Sequence, residues 1–389
     1  MLGKLPRNRL PWTCLGALGL ALSLSACGSR TGLSVLPRDA GPGAHTRVDA
    51  GRRDGGFFAT FPCRWSLGLA LEIARRPAPY RAVTGAVHPT LDQAVVFGEP
   101  AEGGTRDGAL IGIAATPTLR SPLDGDAAWG RALTTVDGYA MTLGAGCLAQ
   151  AFDRAFEPGE TATWGAADSR CFLVQSRPGQ LTSIERELSA APARVSLVQG
   201  LSRLDAPTQR SLASLDGALT EAFAFTSEEA GTTLLAYRIG PDAWVERHGV
   251  RVDRYRYPGE VLSISAASDR LRGGMLVLHE ERTAGWFLDW IPEDADPPQR
   301  LIALEALPAR PAGPLVSNET EALIPLANGQ MAYVPLALSE LRLLEAVDGG
   351  EVSSMRIVLR PGSSGGGLLF TQPTRGGESL RFQSLICNR

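Results

Sequence analysis

The chain has 389 residues, of which 44% are hydrophobic, 20% charged and 6% aromatic, and it carries a formal net charge of −3. Of its 38 basic residues only Lys4 is a lysine. This excludes a phosphate-cradling G-x-x-x-x-G-K-S/T loop, an internal Schiff-base lysine and a Ser/Lys nucleophile pair. The mild acidity does not suit a nucleic-acid partner, and the length is enough to bury a sizeable core in about two domains or one large repetitive all-β unit.

Lys4, Arg7 and Arg9 give a basic start, Trp12 to Leu24 is an uncharged and largely apolar run, and Leu24-Ser25-Ala26-Cys27 follows. This is the pattern of a secretory signal, and its apolar run is too short to span a bilayer. Leu24-Ser25-Ala26-Cys27 also resembles the bacterial lipobox, matching it at all four positions. The resemblance implies cleavage before Cys27, diacylation of its thiol and acylation of the new amino group, and several acyl chains anchor more firmly than one. Gly28 and Ser29, with no acid directly after the cysteine, favour the outer membrane by resemblance to lipoprotein sorting rules. Residues 1–26 are thus expected to be a signal peptide. Its loss removes Lys4, Arg7 and Arg9, leaving 35 basic against 41 acidic residues, a net charge of about −6.

From Gly28 to about Thr60 the chain is rich in Gly, Asp, Arg and Pro and lacks apolar periodicity. Residues 27–60 therefore read as a lipidated flexible tether, and residues 61–389 as the folded domain. With Cys14 lost and Cys27 lipidated, Cys63, Cys147, Cys171 and Cys387 remain in an oxidising compartment. Four cysteines allow three pairings. Cys63 and Cys387 sit at the two ends of the folded region, and Cys147 and Cys171 within it, so Cys63–Cys387 and Cys147–Cys171 are the favoured pairs. No C-x-x-C spacing occurs, which disfavours zinc or thioredoxin-like chemistry.

Beyond Phe61, short apolar or alternating runs are bounded by Gly, Pro, Asp or Asn, beginning with Leu67, Leu69, Leu71 and Ile73 at a strand period. Segments resembling the first strand of a unit begin near 94, 140, 219, 261, 322 and 368. A unit of about 45 residues fits this spacing, with insertions and one further unit inside the gap from 140 to 219, and four-stranded propeller blades have such a period. The expected fold is all-β, a propeller-like ring of about six or seven four-stranded blades, with two β-sandwich domains as the alternative. Leu368 onward has room for about two strands, so a last blade mixing N- and C-terminal strands is expected to close the ring and bring Cys63 to Cys387. Three short stretches, Ser183–Ala190, Pro207–Leu215 and Leu301–Leu307, read as helical.

Few motifs suggest chemistry. Gly362-Ser363-Ser364-Gly365-Gly366 matches G-x-S-x-G, but a nucleophile elbow needs a strand before it and a helix after it, and both flanks read as strands. His279-Glu280-Glu281-Arg282-Thr283 misses H-E-x-x-H because Thr283 replaces the second imidazole. Asp124-Gly125-Asp126 and Glu293-Asp294-Ala295-Asp296 offer oxygen atoms for calcium without EF-hand spacing. Arg247 to Tyr257 is the densest basic and aromatic stretch and reads as an outer strand with a solvated arginine face. Tryptophans 65, 129, 164, 244, 286 and 290 read as blade-packing residues rather than a sugar-binding face.

The sequence thus points to a lipid-anchored cell-envelope module that binds or scaffolds without catalysis, with no catalytic residue, cofactor or metal ligand nominated. Its expected partners are the membrane, through Cys27, and an envelope protein or glycan, with no nucleic acid. The competing reading is an envelope hydrolase or lyase whose catalytic residues are dispersed over a propeller face. Convergent Asp, Glu, His and Arg around the axis distinguish the enzyme from the binder.

Overall fold

The structure, a computed structural model, describes residues 63–388 except 136, 144–147, 164–168, 178–179, 188–192, 200–207, 216–218, 228–230, 250, 270–271, 295–296, 306, 319 and 360–364. The lipobox with Cys27, the tether and the Cys147–Cys171 pairing lie outside the described residues. The strands form seven four-stranded antiparallel sheets. Blade 1 spans residues 80–125, blade 2 129–163, blade 3 169–215, blade 4 219–256, blade 5 261–303 and blade 6 316–344. Blade 7 combines three C-terminal strands, Ser354–Leu359, Gly365–Thr374 and Gly377–Asn388, with the N-terminal strand Arg64–Arg76 on its outer edge. Two sandwich domains are thereby ruled out, and the chain is a β-propeller.

Within a blade the chain runs outward, strand beside strand. The first strands of successive blades touch in the order Tyr80–Val87, Trp129–Thr134, Ser169–Arg177, Leu219–Ser227, Val261–Asp269 and Val316–Ser317, and Ser354–Leu359 returns to Tyr80–Val87. Because four alternating strands bring the chain back to its starting side, these seven inner strands run the same way along the axis. The second strands carry the densest burial. In Gln93–Pro100 and Gly274–Glu281 six consecutive positions are buried, since a middle strand meets a neighbouring blade on each face. The outermost strand Val252–Arg256 is exposed at all five positions.

Blades pack through apolar clusters, and the one between blades 1 and 2 is aromatic. Phe97 meets Trp129 edge-on at 5.4 Å, and Phe152 stacks on Phe156 at 4.2 Å. Phe156 adopts a φ of 65°, a left-handed conformation costly for a bulky side chain, in the turn after the third strand of blade 2. Its burial in this cluster holds it there.

Blade 7 is closed by pairing Arg64–Arg76 with Gly377–Asn388, from Arg64 opposite Asn388 to Arg76 opposite Glu378, with register shifts between Leu67 and Ala70 and between Glu72 and Ala74. Cys63 and Cys387 are joined by a disulfide across a sequence separation of 324 residues. At the other end of this strand pair, Gly377 has a φ of 134°, and a Cβ there would lie 1.9 Å from the Arg76 carbonyl oxygen, so only glycine fits.

The three expected helices are strands: Gln180–Glu187, Thr208–Leu215 and Gln299–Ala303. All lie away from the axis in their blades, two of them outermost. Their polar residues and leucines made them resemble short helices, and ladder pairing with the preceding strand overrides that local preference.

Candidate axial site

The seven inner strands bound the axis. Their described side chains are mostly small or apolar, including Gly85, Ser263, Ser265, Ala267 and Ser317. Several of their described charged residues are paired within a blade. Arg81 pairs with Glu99, Glu221 with Arg238 at 2.8 Å and Asp269 with Arg272 at 2.6 Å, each within its own blade. Arg131 and Arg356 stand on the inner strands of blades 2 and 7, which flank the inner strand of blade 1 from its two sides.

Register places these two arginines at one height. The Ala132 N–H donates to Thr84 Oγ1 at 2.8 Å, and Thr134 Oγ1 donates to the Val87 carbonyl at 2.8 Å. On the opposite side, a Cβ on Gly85 would lie 3.2 Å from Val358 Cγ2. Arg131 directly precedes Ala132, and Arg356 lies two residues before Val358 on a strand running the same way. Both therefore sit near the level of Val83.

Their electrostatics agree with this placement. Burial lowers the pKa of Arg131, although its side chain keeps contact with solvent. Burial, with the charge of Arg131 acting in the same direction, lowers that of Arg356 to about 10. Arg356 has no acidic partner among the described residues.

The other ionisable clusters are sealed between strands. His279 is fully buried between blades 4 and 5, its ring 4.2 Å from that of Tyr257. Its Nε2 lies 3.2 Å from Glu281 Oε1 and its Nδ1 3.6 Å from Asp289 Oδ2, while Arg300 donates to Asp289 Oδ1 at 3.0 Å. Residues 279–281 are on a strand, so the near-miss to a zinc helix has no helix to act on. Burial outweighs the attraction of Asp289 and Glu281 and lowers the pKa of His279. The imidazole is thus favoured neutral in the fold, and protonation costs more there than in the unfolded chain, where it titrates near 6.5. Its contribution to stability is complete above that value and is lost as pH falls below it, by up to about 1.4 kcal/mol per pH unit. Urea unfolding of wild type and His279→Gln between pH 7.5 and 5 should show a steeper acid loss in wild type. Parallel curves would mean that Asp289 and Glu281 offset the burial.

A second cluster gathers on Glu246 in blade 4. Burial pushes its carboxyl up, and donors outweigh this and hold it below the ordinary range. They are Tyr237 Oη at 2.5 Å, Arg254 Nε at 2.5 Å and the His248 ring at 2.8 Å. The basic and aromatic stretch accordingly ends on an exposed outer strand whose arginines are engaged. Arg256 pairs with Asp242 at 2.5 Å, and Arg254 and Arg256 cover the Trp244 ring. The described tryptophans are also scattered. Trp65 donates to Glu321 beside blade 6, Trp129 joins the aromatic cluster and Trp290 lies under Arg272 at 4.7 Å.

The serines of the G-x-S-x-G match lie outside the described residues. Its flanks are the strands Ser354–Leu359 and Gly365–Thr374, so the strand-to-helix context of a nucleophile elbow is missing. Among the described residues no group of three or more His, Cys, Asp or Glu is placed to hold a metal ion. Sequence reading did not find Arg131 or Arg356. Each is one arginine among 37 in the chain, and only the blade topology reveals which strands are innermost.

No family model and no curated protein matches the chain. Solved structures do. An oligogalacturonate lyase in complex with manganese has a TM-score of 0.57 at 10% identity, covering 84% of this chain and 97% of the lyase. The oligogalacturonate lyase of Vibrio parahaemolyticus has a TM-score of 0.55 at 10% identity, covering 83% and 97%. BBS1N in complex with ARL6DN has a TM-score of 0.51 at 8% identity, covering 85% and 98%. One fold therefore spans an enzyme and a partner-bound domain, and at such identities the likeness establishes the β-propeller architecture alone.

Proposed function

We propose that the chain is a non-catalytic binding module of the cell envelope, anchored through lipid on Cys27 and presenting its propeller on a tether. The observation that carries this reading is the division of its charged groups. The described acid–histidine clusters are enclosed within or between blades, whereas Arg356, on one of the strands that bound the axis, has no acidic partner among the described residues. Such an arrangement suits holding a ligand more than transferring a proton. The anchor rests on the four matching positions of Leu24-Ser25-Ala26-Cys27.

Two measurements test the two parts. Cys27→Ala should shift the protein from the membrane fraction to the soluble fraction of lysed cells, and membrane retention by the variant would remove the anchor. Cross-linking in intact cells should capture one defined envelope protein or glycan through the propeller. The competing reading, a lyase or hydrolase, draws on the lyases among the structural neighbours. Capture of nothing, together with turnover of a glycan or ester substrate by the purified chain, would establish it instead.

A further inference from the structure

We propose that Arg381 and Gln372, with the loop at residues 348–350 beside them, form a site at the seam of blades 6 and 7 for an oxyanion, a carboxylate or phosphate carried on a small ligand or on the end of a chain. This inference rests on the reading of the propeller as a binding module and names a contact that the module makes.

The frame of the site is held from two sides. Arg381 is on the third strand of blade 7, opposite Phe370, which packs in the core between blades 6 and 7. The Gln383 amide donates to the Gly68 carbonyl at 3.0 Å, and its Oε1 accepts from the Asp348 N–H at 3.1 Å. The Asp348 carbonyl in turn accepts from Arg381 Nη1 at 3.1 Å. The loop then passes against the Gln372 side chain. A Cβ on Gly349 would lie 2.4 Å from Gln372 Nε2, and Gly349 has a φ of 94°, a conformation that favours glycine.

Within this frame the donors are only partly used. Arg381 Nη1 also donates to Gln372 Oε1 at 2.9 Å, which fixes the way the Gln372 amide points. Both described bonds of the guanidinium thus go from Nη1 to uncharged oxygens. Arg381 Nε and Gln372 Nε2 are buried without a hydrogen-bond partner among the described residues, and Gln372 is only 7% exposed. The edge formed by Nε and Nη2 is one that gives two parallel N–H donors to a carboxylate or phosphate. A buried donor left unpaired is costly, and an oxyanion between Arg381 and Gln372 answers both. Two acids lie close and neither serves Arg381. Glu72 stands opposite it across the strand pair, but its carboxylate pairs with Arg75 at 2.8 Å. Asp348 accepts through its backbone carbonyl, and Arg381 forms no ion pair among the described residues. Arg381 is half-buried and Asp348 and Gly349 are exposed, so a ligand approaches from the loop side.

The test uses the full chain in detergent, titrated calorimetrically with inorganic phosphate, with glucuronate and with uncharged glucose. Wild type should bind phosphate or glucuronate, more weakly as chloride rises, and should not bind glucose. Preference between the two anions identifies a phosphate or an acidic sugar as the source. Gln372→Glu keeps an oxygen for Arg381 Nη1, removes the Nε2 donor and sets a carboxylate beside the guanidinium. It should weaken the bound anion at least tenfold and, without anion, melt no lower than wild type. Arg381→Lys, which keeps a charge without the fork, should weaken the anion less than Arg381→Gln does.

Failure of both anions to bind wild type, glucose binding as tight as that of glucuronate, or equal anion binding by Gln372→Glu overturns the site. If Gln372→Glu does not accumulate, Arg381→Gln carries the same test. The two levels of inference separate cleanly. Anion binding that Gln372→Glu abolishes, without a cross-linked partner in cells, would unseat the binding-module reading and leave the site standing. A captured partner with no anion binding by wild type would do the reverse.

Discussion

Replacing Cys63 and Cys387 together by alanine is expected to lower the unfolding free energy by on the order of 5 kcal/mol. The disulfide spans 324 residues of sequence, nearly the whole propeller, so the unfolded chain gains far more freedom from its loss than a short loop would. Both cysteines are buried, and alanine leaves no polar atom in their place. The loss should begin locally, because the bond lies where Arg64–Arg76 joins Gly377–Asn388. Hydrogen exchange in the double variant should quicken first along Arg64–Arg76, ahead of blades 1 to 6. Urea unfolding followed by tryptophan fluorescence supplies the global number. An unchanged midpoint would mean that strand pairing alone closes the ring.

Trp65→Ala should cost as much or more. Trp65 is buried in the blade 6–blade 7 core among Leu323, Met331, Met355 and Leu385, and removing so large a side chain costs about 3–5 kcal/mol. Its Nε1 also donates to Glu321 Oε2 at 2.7 Å, beside the Asn318 amide at 3.2 Å. Glu321 is fully buried, and burial pushes its pKa up against the pull of the Trp65, Asn318 and Cys63 donors. Loss of the indole N–H leaves that carboxyl less satisfied, at a further cost of about 1–3 kcal/mol. Trp65→Phe separates the two parts, since it keeps most of the volume and loses only the donor.

The raised pKa carries a sign that can be checked. A carboxyl titrating higher in the fold than in the unfolded chain stabilises the fold below its unfolded value of about 4.5. That contribution disappears as pH rises through the folded value. Wild type should therefore lose stability relative to Glu321→Gln between pH 4 and neutrality, and a difference that is flat with pH would place the carboxylate in better company than its partners suggest.

How much of this was legible in the sequence follows from which strands are buried twice. The unit starts read near 94, 140, 322 and 368 are in fact second strands, Gln93–Pro100, Tyr139–Leu143, Glu321–Pro325 and Gly365–Thr374. Middle strands face two neighbouring blades and so form continuous apolar runs, which a reader of periodicity finds first. Only at Leu219 and Val261 is the inner strand itself apolar enough to be read as a start. The inner strands Tyr80–Val87 and Trp129–Thr134, rich in small residues and arginine, went unread. The same cause hid the axial site. Mixing of N- and C-terminal strands was visible from the shortage of strands after Leu368 and from cysteines at both ends. It was correct in kind, with three strands from the C-terminal side and one from the N-terminal side.

That arrangement also orders events in time. Arg64–Arg76 is the first of the described strands to be synthesised, and its partner Gly377–Asn388 is the last. During synthesis, and during any passage through a membrane, the first strand must wait with an unsatisfied hydrogen-bonding edge until the whole ring has formed. Its half-exposed pattern, with Arg75 and Arg76 at one end and glutamate at Glu72, is suited to that delay, because charged side chains discourage pairing with another chain. The closing strand is thus a checkpoint for completeness: a chain truncated before residue 377 has nothing with which to lock it.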